Sequence, residues 1–231
     1  SKRMEQDKAL PPINGRPMIQ RTCERLRPHF GEVTVVAPDR QQSATSHSLT
    51  VHRPLRVTRI DDRTHVIDGT PTDCVLIAVN SLLENPPDFV FSGVNHGPNM
   101  GEDVLYSGTV AAAMEATVIG IPSVALSYTG DDFESLETWN GLLEGFLGQI
   151  LGRDGGSFPE HTLLNVNLPP IPPDQVRGVR VTSLGRRRYS DSITKTLDPK
   201  GKEYFWIGGE ISAWAGGDDA DYRAVKDGFI S

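Results

Sequence analysis

The sequence predicts an α/β protein: a Rossmann-like, doubly wound, mostly parallel sheet with a protruding β-hairpin arm. Three observations predict it. Short β-branched apolar runs alternate with helix-like stretches through the first two thirds of the chain. The helix-like stretches open on capping hydroxyls. Late in the chain, a turn signal separates two strand-like runs, which is hairpin chemistry and not that of a crossover. The 231 residues, 37% hydrophobic and 23% charged, have an ordinary globular composition and fit one large domain or one domain with an excursion. With 23 Lys+Arg against 30 Asp+Glu, the net charge of −7 argues against a sequence-independent nucleic-acid binder, which needs surplus cations. No apolar run approaches the ~18 residues of a membrane span. No signal-peptide pattern is present, and Cys23 and Cys74 stand in no C-x-x-C spacing, so a cytoplasmic, reducing setting is expected.

Three regions are expected: an atypical amino-terminal segment, 1–29; a Rossmann-like core, 30–170; and a hairpin arm with a carboxyl-terminal segment, 171–231, serving oligomerisation. Taken in order, Val33 to Ala37 reads as a strand buried on both faces and stopped by Pro38-Asp39. Leu49 to Ile67 interleaves Val51, Leu55, Val57 and Ile60 with polar residues, the pattern of an antiparallel hairpin. Thr70-Pro71-Thr72-Asp73 supplies a cap hydroxyl, a first-turn proline and a first-turn carboxylate ahead of Val75 to Val79, and so opens a helix. Asp88 to Ser92 reads as a strand, Ser107 or Thr109 as a helix start, and Ile121 to Leu126 and Leu163 to Leu168 as further strands. Pro169 to Pro173, four prolines in five residues, makes a rigid connector. Asp198-Pro199-Lys200-Gly201 is a turn joining Ser192-Ile193-Thr194 to Tyr204-Phe205-Trp206-Ile207. That arm either meets a partner subunit or folds onto its own domain.

In an open α/β sheet, ligands collect beyond the carboxyl ends of the strands. The loops Ala37 to Ser48 and Ser92 to Asp103 occupy such positions. The second runs into Ser107-Gly108-Thr109 at a helix start, where backbone N–H groups and the helix dipole favour phosphate. Taken alone, such a tripeptide is more often only a cap. Asn95, Ser43, Asp39, Glu102 and Asp103 offer hard oxygens for Mg²⁺ or Mn²⁺, and each is equally a solvated loop residue. His96 is a candidate acid or base and His47 a candidate phosphate partner. No Gly-x-Ser-x-Gly elbow and no His-Glu-x-x-His motif occurs.

Four strings in order, Glu32 to Arg40 with Ser43, Gly69-Thr70-Pro71-Thr72-Asp73-Cys74-Val75, Ser92 to Asn99, and Tyr106 to Ala113, together resemble the survival protein SurE family. The likeness runs from about Phe30 to Ser231. It implies a phosphatase that hydrolyses nucleoside 5′- and 3′-monophosphates with Mn²⁺ or Mg²⁺, on a Rossmann-like core with a protruding hairpin, assembled as dimers or tetramers. By the same resemblance, Ser43 and Asn95 fall where the family places metal ligands, and Ser107, Gly108 and Thr109 where it places phosphate. The family's two adjacent aspartates, in an Asn-Asp-Asp-Gly motif, are missing: their spacing lands on Pro12 and Ile13, and no Asp-Asp pair precedes Asp61-Asp62. Serine and asparagine are neutral ligands, so weak metal affinity is expected. The alternative is a noncatalytic module that keeps the phosphate site.

Overall fold

The computed structural model describes residues 12–13, 16–17, 30–151, 158–189, 193–207 and 211–231. Of the amino-terminal segment, only β1 (Pro12–Ile13) and β2 (Arg16–Pro17) are described, as an antiparallel pair. The rest of 1–29, including Cys23, lies outside the described residues.

The chain forms the α/β fold the sequence predicts. β3 (Val35–Pro38) pairs in parallel with β5 (Thr64–Ile67), which pairs antiparallel with β4 (Val57–Asp61), giving a sheet of order β3-β5-β4. The hairpin read between Leu49 and Ile67 is therefore present, and its second strand also carries a parallel edge. α1 (Pro71–Ile77) starts at Thr70 as read, with proline at its first turn. It passes into a wider turn over Ala78–Leu82 instead of continuing as an α-helix.

β6 (Val90–His96), β7 (Ser123–Tyr128) and β8 (Leu163–Leu168) form a second sheet of that order. The N–H of Val90 donates to Pro122 and that of Gly97 to Tyr128, so β6 and β7 advance in the same direction. β6 reaches farther than the expected Asp88 to Ser92. Gly93 permits this: at φ 120° it lies so close to β7 that a Cβ would be driven into the Leu126 carbonyl oxygen. The strand thus carries Asn95 instead of leaving it in a loop.

α2 (Gly108–Ile119) is capped by Ser107, whose hydroxyl accepts the Val110 N–H at 3.2 Å. It ends at Gly120 in the left-handed conformation. Val110, Ala111, Ala112, Ala113 and Ala116 are buried, and these small side chains let α2 pack against α1. α3 (Asn140–Ile150) precedes β8.

Beyond the proline connector, β9 (Arg186–Tyr189) pairs antiparallel with β12 (Ile211–Ala215). Between them, β10 (Ile193–Leu197) and β11 (Glu203–Ile207) form the expected hairpin, turning where Asp198 N–H donates to the Lys202 carbonyl. α4 (Asp221–Lys226) follows.

The chain groups into two compact units. The first comprises Ser1–Asn95, Leu105–Leu126 and Gly145–Asn165, and its core includes Ile67, Val110, Val124 and Ala125. The second comprises His96–Val104, Ser127–Glu144 and Val166–Ser231, with Trp139, Leu168, Ala224 and Ile230 buried.

Candidate active site

Two local devices shape the first unit around the carboxyl ends of β3 and β6. The first is a capping box. Thr70 Oγ1 accepts the Asp73 N–H at 3.1 Å, while Asp73 Oδ2 accepts the Thr70 N–H at 2.8 Å. Asp73 Oδ1 takes the Thr50 N–H at 2.9 Å, and Thr70 Oγ1 donates to the Ser48 carbonyl at 2.7 Å, so the box also fastens the segment after the Ser43 loop. Burial pushes the Asp73 carboxyl up, but the hydrogen bonds from Thr50 and Thr70 outweigh it and hold the group below the ordinary carboxylate range.

The second device is the close seat of Gly108. A Cβ there would lie 3.0 Å from Pro71 Cγ and from Thr45 Oγ1, and 3.1 Å from the Gln42 carbonyl oxygen. A side chain there would make these neighbours give by a few tenths of an ångström, so glycine lets the loop after β3 and the start of α1 close on the start of α2. Across this junction Thr109 Oγ1 donates to Asn95 Oδ1 at 3.4 Å.

The structure brings Asn95 to the start of α2 and sets the loop that bears Ser43 against Gly108. Ser107, Gly108 and Thr109 form the first turn of α2, Asn95 touches Thr109, and Ser43 lies in the loop whose Gln42 and Thr45 abut Gly108. The first N–H groups of α2 have no acceptor within the helix and stand at its positive end. Such a turn is suited to an anion. Ser43 Oγ accepts the Gln41 amide at 2.7 Å. Beside the junction, a cavity of about 330 Å³ is lined by Arg40, Gln42, Thr50, His52, Arg53 and Asp68, among others. The Gln42 amide donates to the Gly69 carbonyl at 3.1 Å and walls it. Asp68 is held below the ordinary carboxylate range, first by the Arg56 N–H and also by the Arg53 charge.

Other candidates are engaged elsewhere. His47 Nε2 hydrogen-bonds Glu115 at 2.6 Å, which commits it to α2's flank instead of an anion. His96 Nε2 bonds the Asp131 carbonyl at 3.0 Å. Glu102 accepts the Arg187 N–H at 2.7 Å, Asp103 pairs with the Arg187 guanidinium, and Asp39 pairs with Arg40 at 2.8 Å. Sequence reasoning missed Gln42, Thr45 and Glu115. Only Glu115 carries a signal, a single carboxylate inside the run Val110 to Ala116.

Among the described residues, the donor set does not fit a resident Mn²⁺ or Mg²⁺. A dication taken from water needs carboxylate charge, yet Ser43 and Asn95 are neutral. Among the described residues, no three His, Cys, Asp or Glu side chains converge. Nor is any described helix long and apolar enough to cross a membrane.

A parallel sheet with a capped helix start beside its carboxyl edge defines a Rossmann-like α/β protein. Comparison with known proteins refines this. The family model of the survival protein SurE matches residues 14–191, and the chain belongs to the SurE family. It is similar to the 5′-nucleotidase SurE of Gemmatimonas aurantiaca, with 56% identity over 211 residues, 90% of this chain and 83% of that protein. The 5′-nucleotidase SurE of Geotalea uraniireducens is 46% identical over 206 residues, 87% of this chain and 81% of that protein. A crystal structure of the SurE protein from Aquifex aeolicus superposes with a TM-score of 0.79 at 39% identity, covering 98% of this chain and 88% of that one.

Proposed function

We propose that the chain is a phosphomonoesterase acting on nucleoside 5′-monophosphates, and on 3′-monophosphates by the same turn. The observation that carries this reading is the convergence of Asn95, the Ser43 loop and the first turn of α2. In this reading the N–H groups of Gly108 and Thr109 and the Thr109 hydroxyl hold the phosphate oxygens. They favour the added equatorial charge of the transition state, because dipoles already in place need no reorganisation. The cavity beside Gln42 receives the nucleoside, with the Arg40 and Arg53 guanidinium planes offering faces for a base and Asp68 accepting from hydroxyls. No step is routed through a cation. Ser43 and Asn95 are proposed only as neutral oxygen donors. The setting is cytoplasmic, and the exposed arm takes a second copy of the chain.

The neutral donor set favours a second reading, in which the site binds nucleotides without turning them over. One experiment separates the two: phosphate release from AMP by the purified chain, with and without Mn²⁺, beside calorimetric binding of AMP in a chelator. Release supports the esterase. Binding in the chelator without release under either condition supports the binding module, and neither binding nor release overturns both.

A further inference from the structure

The loop from Gln42 to His47 has no regular structure, and Ala44 and Ser46 adopt φ 56° and 54°, a region that residues with a Cβ rarely occupy. Such a loop keeps its shape only where contacts hold it. Gln42 is held at the Gly69 carbonyl and Ser48 at Thr70, and three further contacts tie the loop to α2 and the residue before its cap. Gln42 and Thr45 press on Gly108, and the Ser46 N–H donates to the Tyr106 carbonyl at 3.1 Å, immediately before the Ser107 cap. The third lies about two turns further along α2. There Glu115, only 8% exposed, shares a 2.6 Å hydrogen bond with His47.

Glu115 sits among Val110, Ala111, Ala112, Ala113 and Ala116, all buried and all apolar. A carboxylate in such a face costs stability unless it is hydrogen-bonded, and an alanine would suit both the helix and the burial better. The reading above uses neither Glu115 nor His47. Their bond joins residues 68 apart in sequence, one at the end of the loop that bears Ser43 and the other on the helix that bears Ser107 to Thr109.

We propose that His47 and Glu115 are positioning residues, whose hydrogen bond lays the Ser43 loop along α2 and sets it against the Ser107–Thr109 turn. This rests on the phosphomonoesterase reading for its functional consequence but not for its geometry. With the bond gone, the loop keeps the fastenings at Gly108 and Tyr106 and the one just beyond it at Ser48, but loses the one that ties His47 to α2. Displacements of the order of 1 Å then follow at Ser43, and misplacements of that size cost roughly 100-fold in rate.

The test is a double-mutant cycle on the whole chain with His47→Ala, Glu115→Ala and both together, and with His47→Gln, whose amide can still reach the carboxylate. Two readouts are taken. Amide hydrogen exchange over 42–47 should rise about tenfold or more in each alanine variant, with β3 and β5 unchanged. The kcat/KM for AMP should fall about 10- to 100-fold in each single variant, no further in the double, and recover in His47→Gln. Unchanged exchange over 42–47 in Glu115→Ala overturns the proposal whatever the turnover. Raised exchange with unaltered kcat/KM overturns it too, because the bond is then merely structural. Additive losses in the double variant show two unrelated roles and equally overturn it. A wild-type chain that releases no phosphate removes the esterase reading instead, and positioning is then judged by exchange together with calorimetric AMP affinity, which should weaken about tenfold in Glu115→Ala.

Discussion

Replacing Asp73 by alanine tests whether the capping box holds the site's framework together. The carboxylate accepts the Thr50 N–H at 2.9 Å and the Thr70 N–H at 2.8 Å. Truncation leaves both donors without this acceptor, each costing roughly 1–3 kcal/mol, and removes a helix-end charge worth about 0.3–1 kcal/mol. Alanine's better helix propensity returns about 0.5 kcal/mol. Because both donors are only partly buried, the lower half of the range applies, and the expected loss is about 2–4 kcal/mol. A typical total stability is ~5–15 kcal/mol, so the shift is large. Guanidinium melts should show a lower midpoint at constant slope. A pH series supplies the second axis. The folded carboxyl lies below its unfolded value, so its contribution is complete above the unfolded value, near pH ~4, and is lost as pH falls through the folded one. The gap between wild type and variant should therefore narrow as pH falls below the unfolded value toward the lower folded one. A loss under about 0.5 kcal/mol, or a gap that does not change with pH, would refute the reasoning.

Three further outcomes are expected. Gly93→Ala places a Cβ against the Leu126 carbonyl oxygen at a φ of 120°, so the variant should yield little soluble protein or melt more than ~10 °C lower; a wild-type melt would show that β6 and β7 separate more easily than their geometry suggests. Burial, aided by the Asp73 and Asp39 charges, pushes the Cys74 thiol up to about 12. In a Cys23→Ser background, a thiol reagent at about pH 8 should label Cys74 only as the chain opens, and rapid labelling of the native protein would contradict this burial. Finally, Trp206→Glu, at a side chain 63% exposed on the arm, should convert a self-associated chain to monomers without altering the main melt. Light scattering that finds only monomers in the wild type at tens of micromolar would remove the arm as a self-association surface.

What was legible in the sequence was local. Thr70, Pro71 and Asp73 act within one helical turn, so their spacing alone announced α1, and Ser107 announced α2 in the same way. The Asp198 to Gly201 turn placed the arm. Ser43, Asn95 and Ser107 to Thr109 stand out as a set only through resemblance, because each residue type alone is an ordinary loop or cap residue. What was hidden depends on contacts distant in sequence. The extension of β6 to His96 hangs on the approach of Gly93 to β7, and the left-handed Ala44 and Ser46 carry no glycine or asparagine to betray them. His47 looked like an anion partner because nothing near it in sequence shows that Glu115 has claimed its ring nitrogen. Asp39, Glu102 and Asp103 offer hard oxygens by residue type, and their pairing with Arg40 and Arg187 is not visible in the sequence.

The interleaved course of the chain through its two units bears on synthesis. Everything assigned to the first unit, including Ser43, Asn95 and Ser107 to Thr109, has been made once Asn165 leaves the ribosome. The second unit cannot close until the segment Val166–Ser231 exists, because the Asn167 and Ser231 backbones bond each other in both directions, at 2.9 and 3.1 Å. Pieces of the second unit, His96–Val104 and Ser127–Glu144, are therefore made well before the segment that completes it. The Ser107–Thr109 turn is an early product of translation, and the frame of the arm is a late one.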